Sequence, residues 1–231
     1  MKNVLIIGMG EFGKHLARKL VNLKNEVCII DSNSEVVNLL SSEFTNAYVG
    51  DCMQKQTLKE LGARNFDIVV VAIGQNFQAS LEITSHLKEL GCKYVISKAA
   101  SEIQAKFLKM AGADETVYPE KDIAERIAIK VNASNIFDYI QLTDEYSMYE
   151  IQIPETWVGF SIKELDIRRK FDVNIIAIKN NGIINLPTAD YTFYKDDHIY
   201  LFGKATSALK IEKDKNKIIQ KKEKAAAKEN K

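Results

Sequence analysis

The sequence predicts an α/β protein, a doubly wound parallel sheet followed by a small α+β domain. Three observations carry this. Apolar runs of strand length alternate with amphipathic helical segments through the first part of the chain. A glycine-rich turn joins the first strand to the first helix, and the alternation gives way to a hairpin pattern near the end. A chain of 231 residues has room for one large domain, or a medium and a small one. Its apolar and charged fractions, 46% and 27%, are those of an ordinary soluble protein. The formal net charge of +1 supplies no overall field to recruit nucleic acid, so no nucleic-acid partner is expected. No apolar run approaches the ~18 residues of a membrane span, and Met1-Lys2-Asn3 leads straight into a strand. A cytoplasmic protein is therefore expected. Cys28, Cys52 and Cys92 form no C-x-x-C pair and read as reduced, mostly buried thiols.

The elements follow in order. Val4–Ile7 is a bare apolar strand, running directly into Gly8-Met9-Gly10-Glu11-Phe12-Gly13 and a helix to about Leu23. A second strand, Glu26–Ile30, ends on Asp31. This is the G-x-G-x-x-G dinucleotide fingerprint in its required setting, with an acid about 20 residues further on. Gly8 allows the tight turn, Gly10 lets backbone approach a phosphate, and Gly13 lets the helix pack closely on the strand. The helix points its positive end at that phosphate, and Asp31 is placed to accept from ribose hydroxyls. A helix near Glu35–Leu40 takes Asn33 or Ser34 as its N-cap. Ala47–Val49 is a short third strand leading to Gly50-Asp51, and a helix from about Gln54 to Leu61 stops at Gly62. Asp67–Ile73 is the most apolar strand, as expected for one buried on both faces. A helix between Asn76 and Leu90, a fifth strand at Tyr94–Ile96, a helix capped by Ser101 and closed by Gly112, and a sixth strand at Glu115–Tyr118 complete the sheet.

Lys121 to about Leu142 reads as helix, with Ile123, Ile127 and Val131 on one stripe and Ile136, Tyr139 and Ile140 continuing it. Beyond it come a strand at Ser147–Ile153, a short helix near Ile162–Leu165 and a strand at Val173–Lys179. Asn180-Asn181-Gly182 is a strong hairpin signal before Ile183-Ile184, and a last strand, His198–Phe202, ends at Gly203. The expected division is 1–142, 143–212, and a lysine-rich tail, 213–231, read as solvated, frayed or helical.

Several blocks in order give the chain a resemblance to a known family. They are Gly8–Gly13, Asp31, Gly50-Asp51, Val71–Asn76 with Gln78–Ser80, Lys98-Ala99, Gly112–Asp114, Pro119–Asp122, Ser161–Arg168, Asn174–Ile178 and Pro187. Over about residues 2–210 the chain resembles the cytosolic RCK subunits that gate bacterial Trk/Ktr potassium-uptake systems. The resemblance implies a Rossmann-like RCK-N domain with crossover helices and an RCK-C regulatory domain. It also implies a homodimer assembling into an octameric ring, docked on a membrane potassium channel or transporter subunit at the inner face of the cell membrane. Ligand binding would change the shape of the ring.

The residues expected at the cofactor are Gly8, Met9, Gly10, Glu11, Phe12, Gly13, Asp31, Ser32, Asp51, Cys52, Ala72, Ile73, Gly74, Asn76 and Lys98. Asp51 and Cys52 would border the adenine, Ala72–Gly74 form the rim, Asn76 cap the next helix, and Lys98 offer charge to phosphates. By resemblance, Glu120 matches an acid that helps hold a cation (Mg²⁺, Ca²⁺ or Na⁺) at the phosphates. ATP-responsive relatives carry a basic residue where this chain has Glu11, which leaves ATP, ADP and NAD(H) as alternatives, with Lys14 in reach to compensate. Asp31 disfavours NADP, whose 2′-phosphate it would repel. In some relatives the second domain binds cyclic di-AMP at its dimer interface, and Ile162, Leu165, Arg168, Ile175, Ile176 and Pro187 stand at matching positions. The rival classes are an NAD-dependent oxidoreductase and a structural ring component with a degenerate site. His15, His86 and His198 are the only histidines, and no Tyr-x-x-x-Lys, Cys/His or metal-ligand cluster supports catalysis.

Overall fold

The computed structural model describes residues 1–44, 46–132, 136–143, 145–204, 206–207 and 210–211. The chain divides into two compact units, Met1–Asp122 and Ile123–Lys231. In the first, six parallel strands are ordered β3-β2-β1-β4-β5-β6. They are β1 (Asn3–Ile7), β2 (Glu26–Asp31), β3 (Asn46–Val49), β4 (Ile68–Val71), β5 (Val95–Lys98) and β6 (Glu115–Val117). The order reverses between β1 and β4, so a crevice opens at their carboxyl ends. The connections are α1 (Glu11–Asn22), α2 (Ser34–Leu40), α3 (Lys55–Glu60), α4 (Phe77–Glu89) and α5 (Glu102–Met110), and α6 (Pro119–Asn132) follows β6.

The central strands β1, β2 and β4 are apolar along most of their length because both faces are covered, while the edge strands β3 and β6 are more polar and more exposed. Leu5, Ile7, Cys28, Ile30, Val69 and Val71 bury one face with Leu58, Ile83 and Leu87. Val4, Ile6, Val27, Ile29 and Val70 bury the other with Ala17, Leu40 and Phe44. Each fully buried aliphatic side chain contributes about 1.5–3 kcal/mol over its exposed state. Polar caps set where the helices begin. Asn33 accepts from the Glu35 and Val36 N–H groups, Asn76 from Ala79 and Ser101 from Gln104. Pro119 opens α6 two residues after β6 ends, where its fixed φ suits a first helical turn and its missing N–H costs nothing.

The second unit is built on an antiparallel sheet ordered β10-β9-β11-β8-β7. Its strands are β7 (Ile136–Gln141), β8 (Tyr146–Gln152), β9 (Val173–Asn180), β10 (Ile183–Asn185) and β11 (His198–Lys204), with α7 (Ile162–Leu165) and α8 (Ile167–Phe171) between β8 and β9. Ile151, Ile178, Ile199 and Leu201 pack with Trp157, Ile167 and Phe193 as its core. Ser161 and Glu164 close a reciprocal capping box that starts α7.

Three expectations need correction. The helix read from Lys121 to Leu142 ends at Asn132, and Ile136–Gln141 is strand β7, with Tyr139 opposite Tyr149 and Ile140 opposite Met148. The spacing of Ile136, Tyr139 and Ile140 fits a helix face. It also fits a strand whose register shifts between Ile136 and Asp138, which brings Ile136 and Tyr139 to one buried side. The aromatic and β-branched content, and a partner strand, decide for β. Gly203 does not end β11, which continues to Lys204. A Cβ there would lie 2.8 Å from Val173 Cγ1, so the glycine permits close approach of β11 to the start of β9. Helix α8 was not anticipated, because Asp166 and Asp172, both with left-handed φ (49° and 55°), delimit it where glycine is the usual signal. The lysine-rich tail lies outside the described residues, and among these no helix is long and apolar enough to cross a membrane.

Candidate functional site

A cleft of about 680 Å³ lies at the carboxyl ends of β1, β2 and β4, the size class of a small-molecule site. Its floor is the turn from β1 to α1. Gly8 has φ +94°, a conformation costly for any residue with a Cβ, and its N–H donates to Ile30 O at 2.9 Å. At Gly13 a Cβ would stand 2.2 Å from Gly8 O, so helix and turn touch backbone to backbone. At Gly10 a Cβ would meet nothing within 4 Å. That empty space, at the mouth of the turn, is where a ligand can approach the chain. Gly10 also has no side chain to cap α1, unlike Asn33, Asn76 and Ser101 at α2, α4 and α5. The first-turn N–H groups of α1 are thus left for an anion.

Asp31 ends β2 beside this turn. Its Oδ2 accepts from Met9 N–H at 2.6 Å and its Oδ1 from Asn33 N–H at 2.8 Å. The carboxylate therefore ties the glycine turn to the β2 edge while keeping lone pairs for a sugar hydroxyl. Asp51 Oδ1 accepts from Met53 N–H at 3.0 Å, turning the chain so that Cys52 and Met53 form an apolar wall. Burial, with Asp51 and Asp31 adding to it, pushes the Cys52 thiol up to about 12, and burial takes Cys28 to about 11. Both stay neutral and neither is a nucleophile; Cys52 contributes surface to the cleft, while Cys28 is packed in the core.

Of the sequence-predicted residues, Gly8, Gly10, Glu11, Phe12, Asp31, Ser32, Asp51, Cys52, Ala72, Ile73, Gly74, Asn76, Lys98 and Glu120 line this cleft. Met9 and Gly13 do not. The Met9 side chain is buried in the core below, and Gly13 faces Gly8. Sequence reasoning missed Ile7, Ile30, Gly50, Met53, Gln75, Ala79 and Ile83 on the wall. Gly50 and Gln75 follow strand ends, which is a usable signal. Ile83 lies inside α4 and carries none.

The charges are arranged unexpectedly. Glu11 turns outward, 80% exposed, and takes the Lys14 ammonium at 3.0 Å. The hydrogen bond and charge of Lys14 hold its carboxyl below the usual range. Lys98 reaches across the mouth of the cleft to Glu120 Oε1 at 2.5 Å, and that hydrogen bond likewise lowers the Glu120 carboxyl. Among the described residues no group of three or more His, Cys, Asp or Glu side chains stands together as a metal site.

In the second unit, a groove of about 190 Å³ brings together Ile162, Arg168, Ile175 and Pro187 from the predicted set, together with Ile167, Asn174 and Thr188. Leu165 and Ile176 are not part of it. Leu165 packs on the core and Ile176 is exposed.

The chain matches the model of the TrkA-N domain over residues 4–119 and that of the TrkA-C domain over residues 148–215. It is 38% identical over 213 residues to the Ktr system potassium uptake protein C of Bacillus subtilis (strain 168), covering 92% of this chain and 96% of that one. The Ktr system potassium uptake protein A of the same organism is 36% identical over 203 residues, covering 87% and 91%. Among solved structures, the GsuK channel superposes with a TM-score of 0.66 at 17% identity, covering 90% of this chain and 38% of that one. That likeness speaks for the fold.

Proposed function

The chain belongs to the family that joins a TrkA-N to a TrkA-C domain, and from that premise we propose that it is a nucleotide-sensing regulatory subunit of a potassium-uptake system. It acts from the cytoplasm, docked peripherally on a membrane channel or transporter subunit, as a homodimer assembling into an octameric ring. The observation that carries the nucleotide reading is the uncapped α1 terminus behind Gly8 and Gly10, with Asp31 beside it, at the strand-order reversal. Gly8, Gly10 and the α1 N–H groups take the phosphates, and Asp31 the ribose. Asp51, Cys52 and Met53 border the adenine.

Gating then follows from linkage. A nucleotide that fits one ring geometry better shifts the equilibrium by its differential affinity, and factors of 5–150 require about 1–3 kcal/mol. Exposed apolar residues supply assembly surface: Ile103, Phe107 and Met110 on α5 in the first unit, and Ile123, Ile127 and Val131 on α6 in the second. Because Glu11 turns outward onto Lys14, it does not point at the α1 terminus, and ATP, ADP and NAD(H) all remain candidate ligands. Glu120 is engaged by Lys98 and belongs to no cluster of three or more His, Cys, Asp or Glu side chains among the described residues. A cation there would draw most of its oxygen ligands from phosphate and water. In the second unit, the Arg168 guanidinium beside Ile162, Ile175 and Pro187 suits a cyclic dinucleotide such as cyclic di-AMP, with a second copy completing so small a groove.

The test is the melting temperature of the full chain against ATP, ADP, NADH, NADPH and cyclic di-AMP. A ligand bound only by the folded state adds about 2.7 kcal/mol at 100 times its Kd. A rise with ATP, ADP or NADH and none with NADPH is expected. No rise with any adenine nucleotide would reduce the glycine turn to scaffold.

A further inference from the structure

The cleft is hostile to the ligand proposed for it. With Glu11 turned outward onto Lys14, three carboxylates among the described residues lining it (Asp31, Asp51 and Glu120) stand against one ammonium, that of Lys98. That ammonium is already spent. Its Nζ donates to Glu120 Oε1 at 2.5 Å, with the lysine side chain 12% exposed and the glutamate 58%. Lys98 is held in place from several elements. It ends β5, its Nζ lies 5.7 Å over the Phe12 ring of α1, and it crosses so close to the β4–α4 loop that a Cβ on Gly74 would stand 3.2 Å away. Glu120, by contrast, is the second residue of α6 and is largely in water.

We propose that the Lys98–Glu120 pair is a phosphate-displaceable latch between the cleft and the first turn of α6. A phosphate arriving at the α1 terminus competes with the Glu120 carboxylate for the one fixed ammonium of the cleft. Lys98, confined by Phe12 and Gly74, stays and exchanges partners, while the exposed Glu120 is released. The exchange makes Lys98 the residue that reads ligand charge, and it ties occupancy to the start of α6. This rests on the nucleotide reading above and adds a competitor to it.

Displacement has a sign that a static ion pair lacks. If Glu120 competes, removing its charge improves binding. ADP is titrated calorimetrically into the full chain in EDTA, so that no divalent cation bridges Glu120 to phosphate. Glu120→Gln and Glu120→Ala should each tighten ADP by about 2- to 5-fold, the upper part of the range of a partly exposed ion pair. Lys98→Met should weaken ADP and cancel the gain in the double variant, with melting of the free proteins checking that each folds. Unchanged or weaker binding by both Glu120 variants overturns the latch and leaves nucleotide binding intact. A wild-type chain that takes up neither ADP nor NADH removes both readings together.

Discussion

Replacing Gly10 and Gly13 in turn by alanine separates the two duties of the glycine turn. At Gly13 the new Cβ would stand 2.2 Å from Gly8 O, whereas real Cβ atoms essentially never come within 3.0 Å. The obstacle is backbone, so α1 must retreat from the turn by about 0.8 Å. Forcing a group into a filled interior costs about 1–3 kcal/mol, and the retreat also moves the α1 N–H groups off the phosphate position. Gly10→Ala meets nothing within 4 Å and has φ −67°, which alanine adopts freely. Its stability should stay within about 0.5 kcal/mol of wild type. A methyl group in the ligand's approach should nevertheless weaken ADP or NADH by about tenfold or more, equivalent to about 1.4 kcal/mol or above. Urea denaturation reads the first quantity and calorimetric titration the second. Gly13→Ala should fail both, and Gly10→Ala binding alone. If Gly13→Ala melts and binds like wild type, the backbone contact does not exist as described. If Gly10→Ala binds normally, the ligand does not approach that face.

Asp31→Ala removes the acceptor of the Met9 and Asn33 N–H groups and should destabilise the first unit by about 1.5–3 kcal/mol, read by urea denaturation with and without nucleotide, with ligand protection lost. In the second unit, burial raises Glu150, but hydrogen bonds from Lys179, His198 and Tyr200 outweigh it and hold the carboxyl below 4.5. Its stabilisation is therefore complete above pH 4.5 and lost as pH falls through the lower folded value; Glu150→Gln should flatten that acid limb of the melting curve. Cys28 and Cys52, held near 11 and 12 by burial, should resist a thiol reagent at pH 8 until urea exposes all three cysteines. Arg168→Ala should abolish a cyclic di-AMP melting shift and leave the adenine-nucleotide response unchanged.

The sheet of the first unit was legible because its central strands, β1, β2 and β4, are buried on both faces and its helices announce themselves with Asn33, Asn76 and Ser101. The glycine turn and Asp31 could be assigned for a similar reason, since only certain residue types fit that geometry. Less legible was whatever depends on a partner distant in sequence. Ile136–Gln141 carries a spacing that serves helix and strand alike, and its side-chain types lean toward strand only once β8 supplies a partner. Ile83 joins the cleft wall because α4 lies over β4, and nothing at position 83 says so. Lys98 and Glu120 were each assigned to the phosphates, but their pairing with one another escaped, because only the fold brings the end of β5 against the first turn of α6.

In the proposed assembly, the stripe of Ile123, Ile127 and Val131 on α6, 51%, 55% and 81% exposed, would couple stability to the amount of protein in the tube. A helix face of this kind gains by meeting another apolar surface, and association that favours the folded form raises the melting temperature with every increase in concentration. Dilution then acts as a mild denaturant. Variants compared at different concentrations would differ even where their chains fold equally well, so a single melting temperature for this molecule belongs to a solution as much as to a sequence.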